Sequence, residues 1–488
     1  MKNRLILEIK LAAIATAAVL VVIVARALWV ESVQPEGMAE VEWELSDREA
    51  PLERLSEAIR FETVSPRSEG DEAPFEAMHQ WLESTFPGVH EEAQRRWVGG
   101  LTPHFVIPGS DEDAPHVVLL AHMDVVPIDE GTEEDWSYPP FSGAREEGHV
   151  WGRGTLDNKQ SMMAILEAVE GRLAEGWTPR HTTHLVFGHD EEIGGLQGAK
   201  AVADEMEEQG VEIAAVYDEG LTITDGVVPG VEAPVALIGI TEKGYLSVEV
   251  RASSEGGHAS MPPKELAIYR LMDALSALQE RERGGAIDGP TAKMFEWLAS
   301  EMDLGHRLLF RNLWLTEPLV VSQMAKAPST NAVLRTTGAP TVLRAGEADN
   351  VLPQSARGVV NFRIHPRESI DDVMEDLENL WSASYLEVEP VGEMRSDPGP
   401  LASMEGKAYE ALETALMEVF PEVVIAPNML VAAADARHFT GLTAEVYRFQ
   451  PLVLTEADIA RIHGTNERIA EDNYLRLIAY YDRLLEHW

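Results

Sequence analysis

Short apolar runs that stop abruptly at a histidine or a carboxylate constrain this fold more than anything else in the chain. Residues 117–121, 184–188 and 214–217 have the length and composition of buried strands, and each is followed at once by acid or histidine. Helical patterns lie between them. One runs from 159 to about 173, apolar at Met162, Met163, Ile165, Leu166, Val169 and Leu173, and another spans 199–208. Strands alternating with helices predict an α/β fold with a mostly parallel, helix-covered sheet. Ligands of such sheets gather at the carboxyl ends of the strands, where these polar motifs fall.

The texture changes near residue 241. Segments 244–252, 359–364 and 385–391 alternate like half-exposed strands, and 266–282 and 370–381 read as helices. We read 241–392 as an inserted α+β lid. Within it, 283–326 is an acidic and aromatic stretch with no assigned place. Helical patterns at 406–419 and 473–485 return the chain to the first unit. The expected organisation is thus 1–30 as a membrane anchor or signal segment, 31–50 as an acidic linker, 51–240 and 393–488 as one catalytic domain, and 241–392 as the lid. With 488 residues, more than one core is expected.

A formal charge of −44 excludes nucleic acid and anionic membrane surfaces as partners. The absence of cysteine excludes disulfides, thiolate metal ligands and a thiol nucleophile. At the N-terminus, Lys2, Arg4 and Lys10 precede an apolar stretch over 11–25. Alone it is short for a membrane span, which wants about 20 residues. With residues 5–9 it becomes long enough, and we favour an uncleaved anchor with its positive end inside and the body outside the cytoplasm. The rival is a cleaved signal peptide, with Ala25 and Ala27 in a small-x-small site.

Each polar motif also has an ordinary reading. His122 and Asp124 share a strand face, so Asp124 can orient the imidazole. Asp157 can be a helix N-cap. Glu191–Glu192 and Asp218–Glu219 can be solvated acids, although acids directly after a buried strand need a cation or a proton beside them. Taken together, histidines and carboxylates at several strand ends make a ligand set for divalent ions such as zinc, manganese or cobalt. A shared carboxylate between two ions suits hydrolysis, because the ions lower the pKa of water.

At LLAHMDVVP (119–127), GRGTLDNK (152–159), DEEIGG (190–195), YDEG (217–220), GGHASMPP (256–263), NVLP (350–353), NFRIHP (361–366) and HGTNERI (463–469), the chain resembles the M20 metallopeptidase family. The likeness is to its carboxypeptidase S and N-fatty-acyl-amino-acid synthase/hydrolase branch, and it runs from about residue 53 to the C-terminus. It implies a zinc-peptidase-like catalytic domain interrupted by a lid, and two divalent metal ions, Zn2+ foremost. In the pattern of that family Asp157 bridges the ions, His122 and Asp218 complete one site, and Glu192 and His463 complete the other. Glu191 is then the general base, with Asp124 behind His122. His258 polarises the scissile carbonyl when the lid closes. Arg363 clamps a substrate carboxylate with its planar fork, Asn350 being a lesser candidate for that role. Substrates would be small peptides or N-acyl amino acids; the sequence leaves the oligomeric state open, a homodimer among the options. A non-catalytic binding or receptor ectodomain on the same fold is the alternative. One departure stands out: Ala433-Ala434-Asp435-Ala436-Arg437 replaces the glycine-rich Gly-Gly-Thr-Asp of many relatives, which bears on the C-terminal side of the substrate pocket.

Overall fold

The computed structural model describes residues 2–35, 47–66, 71–281 and 283–488. The expected linker at 31–50 therefore lies partly outside the described residues. An eight-stranded sheet runs in the order Gln94–Val98, Thr102–Ile107, Thr183–Gly188, His116–His122, Ile213–Thr224, Val446–Leu454, Val235–Glu242, Val424–Leu430. Its four central strands, from Thr183–Gly188 to Val446–Leu454, are mutually parallel. The pair at one edge and the turn into Val235–Glu242 are antiparallel, so the sheet is mixed around a parallel centre. Side chains of His116–His122 alternate between two cores, as a strand period of two demands. Val117, Leu119 and Ala121 face helices Lys159–Ala174, Lys407–Val419 and Glu471–Glu486; Val118 and Leu120 face Ala199–Glu208.

A second, four-stranded antiparallel sheet is ordered Thr337–Ala345, Ser355–Ile364, Gly244–Ser253, Leu386–Pro390. Helices Ala267–Glu280 and Ile370–Leu380 cover it over a core of its own. The stretch that sequence left without a place does not join this core. Ile287, Phe295, Leu298 and Leu334 pack with Val235, Val424 and Ala426 at the far edge of the large sheet. Here edge strands of the large sheet offer apolar side chains that need cover, and local helices supply it.

Across the antiparallel margin, three imidazoles form a chain. Arg96 Nη2 donates to His104 Nδ1 at 3.1 Å, and His104 Nε2 to His184 Nδ1 and His184 Nε2 to His116 Nδ1 at 2.8 Å each. A guanidinium only donates, so it sets every tautomer down the line and all three rings are neutral. Burial agrees, pushing His104 down to about 4 and lowering His184 and His116.

The N-terminal segment is one continuous helix, Lys2–Leu28, passing through Glu8 and Lys10 without a break. Arg4 pairs with Glu8 one turn on at 3.3 Å. Residues Arg4–Leu28 are long and apolar enough to cross a bilayer and are almost wholly exposed. The C-terminal end of the helix is tied to the body: Arg26 Nε donates to Arg311 O at 2.9 Å, and Asn312 Nδ2 to Ile23 O at 3.2 Å.

Candidate metal centre

His122 is the last residue of its strand. Its Nδ1 faces Asp124, 3.0 Å from the backbone oxygen and 3.3 Å from the carboxylate. Asp124 is itself held by Ser65 Oγ and by the backbone N–H groups of Glu191 and Glu192. One buried carboxylate thus fixes the ring of His122 and the start of the Glu191–Glu192 turn. It leaves His122 Nε2 facing Asp157 Oδ1 at 2.9 Å and Glu219 Oε1 at 3.3 Å. The other oxygen of Asp157 lies 2.9 Å from His463 Nε2, which is also 3.2 Å from Glu192 Oε2. Two groups result, His122–Asp157–Glu219 and Asp157–Glu192–His463, with Asp157 common to both.

Asp157 is not spent as a helix cap: Asn158 occupies that position before Lys159–Ala174, without a side-chain capping bond. Its loop is secured from the C-terminal segment instead. Glu467 Oε1 accepts the N–H groups of Gly154 and Leu156, Glu467 Oε2 pairs with Arg153 at 2.5 Å, and Arg153 reaches back to His463 O at 3.1 Å. His463 takes a left-handed backbone, φ +60, uncommon for a residue with a side chain and often seen at functional positions.

The expectation at Asp218 needs correction. Its carboxylate is consumed by the backbone N–H groups of Glu219 and Ala436, and Glu219 takes the place beside His122. The cause is local. The register of Ile213–Thr224 against Val446–Leu454 skips from Asp218 to Leu221, so Glu219 and Gly220 form a bulge that re-aims the side chain. Gly220 is there at φ +143, where a Cβ would come within 2.9 Å of Arg448.

The electrostatics fit cation binding. Burial and the charge of Asp157 push Glu219 up to about 8, and burial lifts Asp218 to about 6. Hydrogen bonds to Asp157 and Glu192 raise His463 to about 10. Burial pushes Asp157 up, but bonds from His122 and His463 outweigh it and hold the carboxylate well below its usual range. So many acids in one buried place need compensating positive charge, and Glu192 Oε1, buried without a protein partner, is a free ligand atom. Divalent ions suit this donor set of imidazole and carboxylate oxygen.

Glu191 stands in the same turn but outside both groups. Burial, reinforced by Asp435, raises its carboxyl well above the normal value. Arg437 Nη1 lies 3.7 Å from it, and the guanidinium is anchored through Nη1 to Ala434 O and Nη2 to Gly194 O. Asp435 and Arg437 belong to the sequence that departs from the glycine-rich pattern. Asp435 is buried with neither carboxylate oxygen hydrogen-bonded, and it fits only because Gly188 and Gly195 lack a Cβ that would come within 2.5 and 2.0 Å of it. Sequence inspection flagged this stretch for its lost glycines and missed the burial of Asp435.

Arg363, Asn350 and His258 divide differently than expected. Arg363 is largely buried, stacks on Tyr245 at 4.6 Å, leaves Nη1 without a partner and feels the charges of Glu191 and Arg437. It therefore faces the acidic centre. His258 is exposed in a two-stranded ribbon, with Ser260 hydrogen-bonded to its Nδ1, and exposed Asn350 accepts a backbone bond from Ala259 in that ribbon. The two ends of the second sheet separate these groups. Arg363 pairs with Tyr245, whereas Ser355 pairs with Ser253 near the ribbon, eight positions away. At about 3.3 Å per residue that is roughly 25 Å. His258 and Arg363 thus do not meet on one small ligand as the chain stands.

Two ligand groups sharing a carboxylate at the carboxyl end of a parallel sheet define a metal-dependent hydrolase rather than a nucleotide-binding α/β protein. The chain belongs to peptidase family M20/M25/M40, whose profile matches residues 118–487. It is 37% identical to the N-fatty-acyl-amino acid synthase/hydrolase PM20D1 of Xenopus tropicalis, over 90% of this chain and 86% of that one. It is 35% identical to the probable carboxypeptidase S-like 2 of Dictyostelium discoideum, over 91% and 86%. In fold it is similar to an M20 family metallo-carboxypeptidase from Sulfolobus solfataricus, with a TM-score of 0.66 and 19% identity over 89% of this chain and 98% of that one.

Proposed function

We propose that this M20 hydrolase is a dinuclear zinc amidohydrolase cleaving an amide whose carboxyl side is an amino acid, in N-acyl amino acids or small peptides. The observation that carries this reading is Asp157, whose two oxygens address two histidines, each with one further carboxylate beside it. His122, Asp157 and Glu219 would hold one ion, and Asp157, Glu192 and His463 the other. Bound there, the ions would supply Lewis acidity and a water of lowered pKa. Glu191, held near Arg437 and apart from the ligand groups, takes a proton from the attacking water and passes it to the leaving nitrogen. Arg363, with a buried and unpartnered Nη1, pairs with the substrate carboxylate. N-acyl amino acids are favoured because the PM20D1 relative is named for them and is similar along most of this chain.

His258 acts as the donor to the developing oxyanion. Because the strand pair holds it far from Arg363, lid closure alone does not bring both to one substrate, and a homodimer in which His258 reaches the partner's centre is the arrangement this spacing favours. The N-terminal helix anchors the protein in a membrane with the catalytic body outside the cytoplasm; cleavage after the helix would instead release it.

Elemental analysis and turnover of a panel of N-acyl amino acids and dipeptides, before and after chelation, test this reading. We expect about two divalent ions per chain, activity lost on chelation and restored by zinc. Glu219→Gln should loosen one ion, while Asp218→Asn should leave metal content near that of the parent. Full activity with one ion or none overturns the dinuclear assignment.

A further inference from the structure

Helix Leu313–Met324 is apolar on two faces. One face packs inward through Val320, with Leu313, Val321 and Met324 beside it. The other presents Trp314, Leu315, Pro318 and Leu319 to solvent, the three large side chains 51–58% exposed. A helix apolar all round is normally buried, so the outer face lacks its cover among the described residues. No charge interrupts it, because the one acid of the helix, Glu317, accepts the N–H of Ile287.

The place of this helix says what covers it. Its N-terminus follows directly on Arg311 and Asn312, the two residues bonded to Arg26 and Ile23 of the N-terminal helix. Ile23 precedes the helix end at Leu28 by five residues, about 7.5 Å along the axis. Interfacial helices bury their apolar faces about 5–10 Å into the lipid boundary, which is the same depth. Trp29, 84% exposed, and Trp314 mark that level, as tryptophans at membrane–water boundaries do. The strong negative charge of the whole chain disfavours anionic lipid, leaving a zwitterionic surface as the complement.

The geometry points to Leu313–Met324 as a second membrane contact, a helix lying in the outer interface of a zwitterionic bilayer beside the root of the anchor. It rests on reading Lys2–Leu28 as membrane-spanning, and adds that the body lies down on the lipid instead of standing off on a tether.

The chain has no cysteine, so single labels can be placed cleanly. Full-length Leu20→Cys, Leu319→Cys and Glu378→Cys would each carry a fluorophore and be reconstituted in phosphatidylcholine vesicles with and without brominated acyl chains. The expected result is loss of emission at 20, a clear loss at 319, and none at 378 on the helix covering the second sheet. Quenching at 20 with 319 no different from 378 overturns the proposal while leaving the anchor intact. Quenching at neither overturns both, and quenching at 319 without 20 removes the span on which the proposal rests and so overturns it as stated. If Leu319→Cys chains instead cross-link to one another without lipid quenching, a second copy covers this face and the proposal is wrong.

Discussion

The acidic centre and the second sheet prepare their functional groups in opposite ways. At the centre, the elements that carry the ligand groups are braced from several sides: Asp124 fixes His122 and the Glu191 turn, and Glu467 and Arg153 fix the Asp157 loop to His463. On the second sheet, Arg363 is sequestered but has no partner at one nitrogen, and in the ribbon near its far end His258 stands exposed with Ser260 hydrogen-bonded to its ring. The first region is assembled by folding; the second still waits for a ligand or another chain. Chemistry that depends on exact metal geometry belongs in the rigid region, and recognition that must open and close belongs in the other.

The largest effect should come from the rigid side. Glu191→Gln should lower kcat by about 10²–10⁴-fold, the usual cost of removing a general base, with metal content unchanged by elemental analysis. Near-native turnover, or metal loss with the substitution, would exchange the roles of Glu191 and Glu192. His258→Ala should lower kcat by about 10²–10³-fold, as loss of an oxyanion donor does, with little change in KM. Mixed with Glu191→Gln chains and allowed to exchange subunits, His258→Ala chains should regain part of the activity; no recovery would argue that closure within one chain serves instead. Arg363→Ala should raise KM about tenfold or more for free carboxylates, about 1.4 kcal/mol, and much less for the matching esters. Equal effects on acid and ester would remove it from carboxylate recognition.

The smallest effect lies away from both regions. His104, His184 and His116 stay neutral in the folded protein, whereas unfolded imidazoles take up protons below their normal 6.5. The unfolded state therefore binds more protons as pH falls from about 6.5 toward 4, and stability is lost over that window. Replacing His184 by Asn should flatten the decline in melting temperature between pH 6.5 and 4, relative to the parent, whatever it does at neutral pH. An unchanged pH slope would mean that the chain of rings is not what acid attacks.

Much of this was legible in the sequence. Apolar runs that end in histidine or acid predict where parallel strands stop and put His122 at such an end, and helical periodicity gives the helix Ala199–Glu208 to the residue. The choice of Asp157, Glu192 and His463 came from the resemblance to the M20 pattern. Asp218 and Glu219 were not separable, because a strand's phase is lost at a bulge, and the bulge depends on a strand more than 200 residues later. The room that Gly188 and Gly195 leave for Asp435 is likewise a contact between distant segments. The distance between His258 and Arg363 needed the register of two strands, which composition does not encode. Residues 283–326 were unplaced because the partners of that stretch, Val235 and Val424, sit on strands outside it.

The clamp between Glu467 and Arg153 also sets a clock. His463 and Glu467 are made 341 and 345 residues after His122, so the centre lacks the second imidazole and its brace for all of that interval. At about 5–20 residues per second, that interval is roughly 17–70 s. At its start the N-terminal helix and three strands of the large sheet exist, and the other five strands are added before His463. A nascent chain is spared its own activity until the segment carrying His463 and Glu467 docks.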